Sequence, residues 1–304
     1  MKSRAGCACH FKTVFQRLLS KEFWRCVWTR SEEDEILARA AQLSYFFLLA
    51  LFPLLLFLIT LLGYFNGAGS HLQRKLISYL GGVMPPAALQ LVVVTLDEVT
   101  KSRGTGKLSF GILLALWAAS SGINALAKAL NAAYNVRETR PWWKVRLISI
   151  ALTIALSVLI VSALLIVLYG GWFGEALAGT IHEGDAFAMV WRILQWPIAL
   201  AFVFFAFVMI YRFVPNVSAK REGKGLRPSD YRRRWLSPGV IIGIALWLLV
   251  SLGFRLYLHF FNSYSATYGS LGALIIMMLW FYVTGAAILF GGEINCEYEI
   301  EVRE

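Results

Sequence analysis

Ser121, Asn124, Lys128 and Asn131 follow one another at steps of three, four and three, with Ser120 and Tyr134 beside them. Such steps place side chains on one face of a helix. Hydroxyl, amide and ammonium groups on one face can hydrogen-bond a neighbouring helix, at ~0.6–2 kcal/mol per bond. They can equally line a polar cavity that receives a solute. Lys128 has a third use, snorkelling to a membrane interface. Other ionisable groups close apolar runs, notably Arg212 and Glu293. At a helix C-terminus the dipole disfavours an acid, so Glu293 needs a cation or a donor. Lys128, Arg212 and the Asn131 amide are its expected partners, as an ion pair that locks helices or as a gate. Arg255 and His259, four apart, share a helix face; they fit an anionic group or an ordinary interfacial pair.

Catalytic chemistry finds little support. His10, His71, His182 and His259 are scattered and show no zinc-binding spacing. Cys7-Ala8-Cys9-His10 lacks a second ligand pair. Gly104-Thr105-Gly106 is a turn without the rest of a phosphate loop. No nucleophile elbow is present. We therefore expect no catalytic residue, no metal and no cofactor, and not an enzyme.

The elements that carry these residues are six long apolar stretches: Leu43–Phe65, Leu108–Ala127, Leu147–Phe173, Ile193–Tyr211, Gly239–Phe261 and Tyr268–Gly292. Only Arg255 brings a charge into any of them. A spanning helix needs ~20 apolar residues, and each stretch is near that length or longer. Hydrophobic residues make up 58% and charged residues 15%, which excludes an ordinary soluble domain. The expected fold class is all-α: a polytopic membrane protein of six transmembrane helices. An amphipathic helical segment, interfacial or re-entrant, is expected between the first and second, where Pro85-Pro86 separates two apolar faces.

The net charge of +11 is distributed by loop. Alternate segments, starting with the N-terminus, hold 22 Lys and Arg against 6 in the others. The positive-inside rule then places both termini in the cytoplasm, and Arg255 and His259 at the outer leaflet. Basic loops face anionic inner-leaflet headgroups, so membrane lipids are the expected partners. The run Arg232–Arg234 has only Tyr231 and Trp235 as nearby aromatics. Nucleic-acid binding needs more stacking surface, so no nucleic acid is expected. A homo-oligomer is an open option. The four cysteines, Cys7, Cys9, Cys26 and Cys296, all fall on the cytoplasmic side, where free thiols are expected.

Three regions emerge: a basic and aromatic segment 1–30, a membrane domain 31–295 and a short acidic tail 296–304. The first suits an amphipathic helix on the inner leaflet. Ser31, with Asp34 three residues on, reads as the N-cap of the first span. Pro53 is expected to kink that span.

Several short motifs carry a family resemblance. They are Ala40-Ala41 with Tyr45 and Leu51-Phe52-Pro53, then Leu130-Asn131 with Tyr134, and Arg137 with Arg140-Pro141. Further on come Tyr211-Arg212-Phe213 with Pro215-Asn216, Tyr264 with Tyr268-Gly269-Ser270-Leu271-Gly272-Ala273, and Gly292-Glu293 with Asn295. Together they resemble the YihY/BrkB family of bacterial inner-membrane proteins, over roughly residues 30–298. The resemblance implies six spans and a bacterial inner-membrane location. It also implies transport or flipping of envelope lipids or solutes. An older label, "ribonuclease BN", goes with some members, and nothing in this sequence supports a nuclease. The motifs coincide with Asn131, Tyr134, Arg140, Arg212, Asn216, Tyr264, Tyr268 and Glu293 as candidates for a solute or lipid site. The function expected is that of a transporter-like protein moving a lipid or an anionic or amphiphilic solute; the alternative is a non-transporting envelope scaffold.

The charge bias makes a direct prediction. Cysteines placed at Gly184 or Asn262 should react with an impermeant maleimide added outside, and one placed at Gly223 should not. Outside labelling at Gly223 would overturn the orientation.

Overall fold

Hydrocarbon offers no hydrogen bonds, so an apolar chain crossing it must close its own backbone bonds as helix. The computed structural model describes residues 20–63, 93, 107–178, 184–216, 237–260 and 264–301. The described residues form seven helices: α1 (Lys21–Glu33), α2 (Ile36–Gly63), α3 (Lys107–Ala133), α4 (Trp142–Ala178), α5 (Gly184–Phe213), α6 (Pro238–Phe260) and α7 (Tyr264–Glu301). Five of these, α3 to α7, contain stretches long and apolar enough to cross a membrane. In α2 the described apolar stretch is shorter, Ile36–Leu51. Its 28 residues still make a rod of ~42 Å at 1.5 Å per residue. The helices run through Pro53 and Pro197 without a break. The expected amphipathic helices between the first two spans lie outside the described residues, as do the Arg232–Arg234 run and the Asn262 turn.

Sequence neighbours pair: α2 with α3, α4 with α5, α6 with α7. Contacts of α3 with α4, α5 with α6 and α7 with α2 close a ring, and α7 also touches α3. Small residues allow these approaches. A Cβ on Gly122 would stand 3.2 Å from Ala50 and 3.3 Å from Phe47. The largest buried cluster joins Leu43, Leu126, Leu130, Tyr134, Tyr211, Val214 and Leu289 near one end of the ring. We refer to this end, where α1 sits, as the basal end.

Here α1 departs from expectation. Ser31 is not an N-cap but an interior, buried residue of α1, its Oγ donating to the Val27 carbonyl at 2.8 Å. The helix continues past it because its buried face is needed: Phe23 and Val27 pack on Ile294 and Tyr298 of α7, with Ile242 of α6 alongside. So α1 docks its apolar face on protein, leaving Trp24 and Trp28 exposed. The break comes at Asp34 and Glu35, where Glu35 takes a left-handed φ of 52° and α2 starts anew. At the other terminus α7 continues through Glu301, and Cys296, Glu297 and Tyr298 are buried. Helix therefore runs across the boundary expected at 296. Cys26 is disulfide-bonded, contrary to the expectation of free thiols, whereas Cys296 is in no disulfide.

The closest approach of α6 and α7 gives a stability test. A methyl group at Gly239 would overlap the Gly291 carbonyl and the Asn295 amide, whereas one at Gly253 meets nothing within 4 Å. Gly239→Ala should cost about 1–3 kcal/mol as overpacking. Gly253→Ala should be neutral or stabilise by up to ~1 kcal/mol through helix propensity. Thermal unfolding in detergent distinguishes the two; equal midpoints would contradict this helix contact.

Candidate functional site

Asn131 ends the polar stripe of α3 and holds two loops. Its Nδ2 donates to Glu138 Oε2 at 2.8 Å, and its Oδ1 accepts from the Asn216 backbone N–H at 2.7 Å. Asn216, just beyond α5, donates through Nδ2 to Thr139 Oγ1 at 2.9 Å and to the Arg137 carbonyl at 3.2 Å. Arg140 grips Glu138 with both Nε and Nη2, at 2.8 and 2.7 Å, and reaches the Val214 carbonyl at 3.0 Å. Partial burial would raise the Glu138 carboxyl. Hydrogen bonds from Arg140 and Asn131 outweigh that and hold it below the ordinary carboxylate range. Local backbone shapes this corner: Asn135 caps α3 with φ 51°, as an Asn can. A second link crosses to α6 and α7. Asn295 Nδ2 donates to Tyr134 Oη at 3.2 Å, while its Oδ1 accepts the Gly239 N–H at 2.7 Å. Tyr211 donates to the Ile288 carbonyl at 2.8 Å.

Glu293 is fully buried and sits eight residues inside α7, not at the C-terminus where it was expected, so burial and not the helix dipole sets its need for a partner; its cation is Arg30 of α1, with Nε 3.8 Å from Oε2. It was expected beside Lys128, Arg212 or Asn131. Lys128 is instead exposed, Arg212 stands over the Phe213 ring at 5.8 Å, and the Asn131 amide is taken up by Glu138 and Asn216. Arg30 binds Glu297 more closely, Nη1 to Oε2 at 2.5 Å, and Cys296 Sγ at 3.0 Å. Neither Glu293 oxygen meets a hydrogen-bond donor. The Asp34 carboxyl lies beside it, and two carboxyls hydrogen-bond only when one is protonated. The cluster ties α1 to the end of α7.

Inside the ring lies a cavity of about 450 Å³. Phe47, Ala50, Leu51 and Leu54 of α2 line it, with Ala119, Gly122, Ile123 and Leu126 of α3. Further lining comes from α4, including Thr153, Leu156 and Ser157, from Ile210 of α5, and from α7, including Trp280, Phe281 and Thr284. The wall is almost wholly apolar. Thr153 spends its hydroxyl on the Ser149 carbonyl at 2.8 Å. Ser157 Oγ and Thr284 Oγ1 are shut off from solvent and have no partner among the described residues.

The stripe of α3 therefore does not line the cavity; the Ala- and Gly-bearing face does. Asn131, Tyr134, Arg140 and Asn216 gather at the basal end, Ser121 meets Arg146, Asn124 is partly exposed, and Arg255 is exposed. The side chains of His259, Tyr264 and Tyr268 lie outside the described residues. Sequence reasoning missed Arg30, Glu138, Asn295 and Arg146. Glu138 and Arg140, two apart beside Pro141, carried a local signal.

The Arg30 cluster yields an ordering of stabilities. Arg30→Gln leaves Glu293 and Glu297 buried without their cation, a loss of about 3–5 kcal/mol. Glu293→Gln should cost far less, because Arg30 keeps Glu297 and no hydrogen bond to Glu293 is lost. Arg25→Gln, on the exposed face of α1, should stay within about 0.5 kcal/mol of wild type. Unfolding midpoints in detergent report the order, and a Glu293 variant less stable than the Arg30 variant would refute it.

Known proteins bear on this arrangement. A family model described as "Virulence factor BrkB" matches residues 27–304. YfkH of Bacillus subtilis (strain 168), whose name calls it ribonuclease-like, is 36% identical over 273 residues, 90% of this chain and 94% of that protein. A UPF0761 membrane protein of Xanthomonas campestris pv. campestris (strain B100) is 26% identical over 286 residues. That match takes in 91% of this chain and 61% of the Xanthomonas protein, so the chain spans under two thirds of that relative. No solved structure matches the chain. With the family model covering almost the whole length, and the bundle all-helical with several membrane-spanning helices, this chain belongs to the BrkB family of membrane proteins.

Proposed function

We propose that this membrane protein is transporter-like and moves a lipid or another amphiphile, lodging its apolar part among α2, α3, α4, α5 and α7. The cavity of about 450 Å³ supports this reading. The recess is apolar and open on one side, so water in it would find almost no hydrogen-bond partners. Hydrocarbon inside it is the low-energy state. A hydrophilic solute is disfavoured, because two unpartnered hydroxyls cannot replace a hydration shell. The bacterial inner membrane, with both termini cytoplasmic, belongs to the same reading and rests on the charge bias.

Scaffolding is the second reading. It is favoured by the Asn131–Asn216–Glu138–Arg140 network, which ties the ends of α3 and α5 to the loop entering α4. Ribonuclease activity, suggested by the name of the Bacillus relative, is not part of our proposal. The most buried acids here, Glu293 and Glu297, face Arg30 and not an open cleft.

The test is reconstitution into vesicles carrying a tail-labelled fluorescent lipid, with a membrane-impermeant quencher reporting translocation. Wild-type protein should speed translocation over protein-free vesicles. Ser157→Leu fills the cavity and removes an unpartnered hydroxyl, so it should lower the rate without lowering stability. Wild-type protein that is inserted yet inert would leave the scaffold reading standing. The same preparation, freed of contaminating enzymes, should leave single-stranded RNA intact in the presence of divalent cations; cleavage abolished by Glu293→Gln would contradict this.

A further inference from the structure

Arg146 carries a charge that nothing described in the protein neutralises. Its guanidinium lies 4.0 Å from the centre of the Trp117 ring. Nη1 donates to Ser121 Oγ at 3.3 Å and Nη2 to the Trp117 carbonyl, both neutral acceptors. Nε is shut off from solvent and meets no acceptor. An Arg has five N–H donors, so three remain without an acceptor among the described residues.

The apolar stretch of α4 begins at Trp142, so Arg146 lies one turn inside it, ~6 Å along the axis. Its side chain reaches Trp117, four residues into the apolar stretch Leu113–Ala133 of α3. The exposed Trp142 and Trp143 are of the type that marks the membrane interface, so the guanidinium stands at the edge of the apolar layer, where anionic headgroups lie.

Arg146 also shares a helix face with the cavity. Thr153 and Ser157 follow it by seven and eleven residues, which returns to the same side of α4. Both line the cavity, and Ser157 is one of its two unpartnered hydroxyls. α4 thus carries the cation and the cavity hydroxyls along one side, although the guanidinium itself bends to the face of α3 that turns away from the cavity.

We infer that Arg146 binds the anionic phosphate or carboxylate head of an amphiphile at the seam of α3 and α4. The inference rests on the lipid-handling reading above and names its substrate class. A guanidinium suits both head types, because its planar fork matches two oxygens at once. The Trp117 ring fixes that plane.

The competing account makes Arg146 a clamp between α3 and α4. Native mass spectrometry of the full-length protein, equilibrated with equal phosphatidylglycerol, phosphatidylcholine and oleic acid, separates the two. Wild type should retain phosphatidylglycerol or oleate over phosphatidylcholine, and which of the two it retains names the source of the head. Arg146→Gln should lose that preference while still retaining phosphatidylcholine. Arg146→Lys, which keeps the charge and loses the fork, should fall between them. A clamp would alter the unfolding midpoint and leave the lipid ratio alone, so an unchanged ratio in Arg146→Gln overturns the inference. If that variant does not accumulate, Arg146→Lys decides, and an unchanged ratio there overturns it equally. Ser157→Leu should reduce retention of all three; if it does not, the cavity reading itself has failed, whatever Arg146 does.

Discussion

A polar group that enters the apolar part of this chain is costly unless it finds its partner within the protein, because hydrocarbon supplies none. The arrangement of the molecule follows from where those partners are placed. Amides, carboxylates and the Arg140 guanidinium are collected at the basal end, where Asn131, Asn216, Glu138 and Arg140 satisfy one another across three segments. Above them the helices meet through glycine, alanine and large apolar side chains. Satisfying the polar groups at one end leaves the interior free to be apolar, and a chamber can exist there without stranding many donors.

The Arg30 cluster applies the same rule to charge. Glu293 lies eight residues inside α7, not at its end, so the need comes from burial: a buried acid needs a close cation. The chain meets this by folding α1 back so that Arg30 reaches both Glu293 and Glu297. Docking of Phe23 and Val27 on Ile294 and Tyr298 holds that position. Apolar docking and charge pairing thus support each other, and α1 belongs to the bundle as much as the spans do.

The sequence made the spans plain, since long uncharged runs admit little other reading in a chain of this composition. It also made Glu293 stand out as an acid in need of a partner. It did not identify that partner, because Arg30 sits in a segment whose amphipathic pattern suits a membrane surface as well as a protein groove. The α3 stripe was equally ambiguous: periodicity fixes a face, not what the face meets. Asn131 and Ser121 do lie on one side of α3, but they bond to Asn216 and Glu138 or to Arg146, and the cavity opens on the other side. Arg146 escaped notice for a simpler reason. The apolar run was bounded at Leu147, so an Arg one residue earlier counted as a loop charge, although it lies inside α4.

That last point bears on how α3 and α4 divide their labour. Small residues on α3 bring its backbone close to α2, and the same face forms one wall of the chamber. The opposite face offers Trp117 and Ser121 to Arg146. α4 joins the two sides, since its Arg146 reaches one face of α3 while its Thr153 and Ser157 look into the chamber on the other. The bonds of Arg146 go to a hydroxyl and a carbonyl, both neutral. The positive-inside bias accounts for a cation at this end of α4. That bias asks only for charge, whereas here a planar guanidinium is laid against an exposed Trp ring, the geometry that our inference assigns to an anionic head.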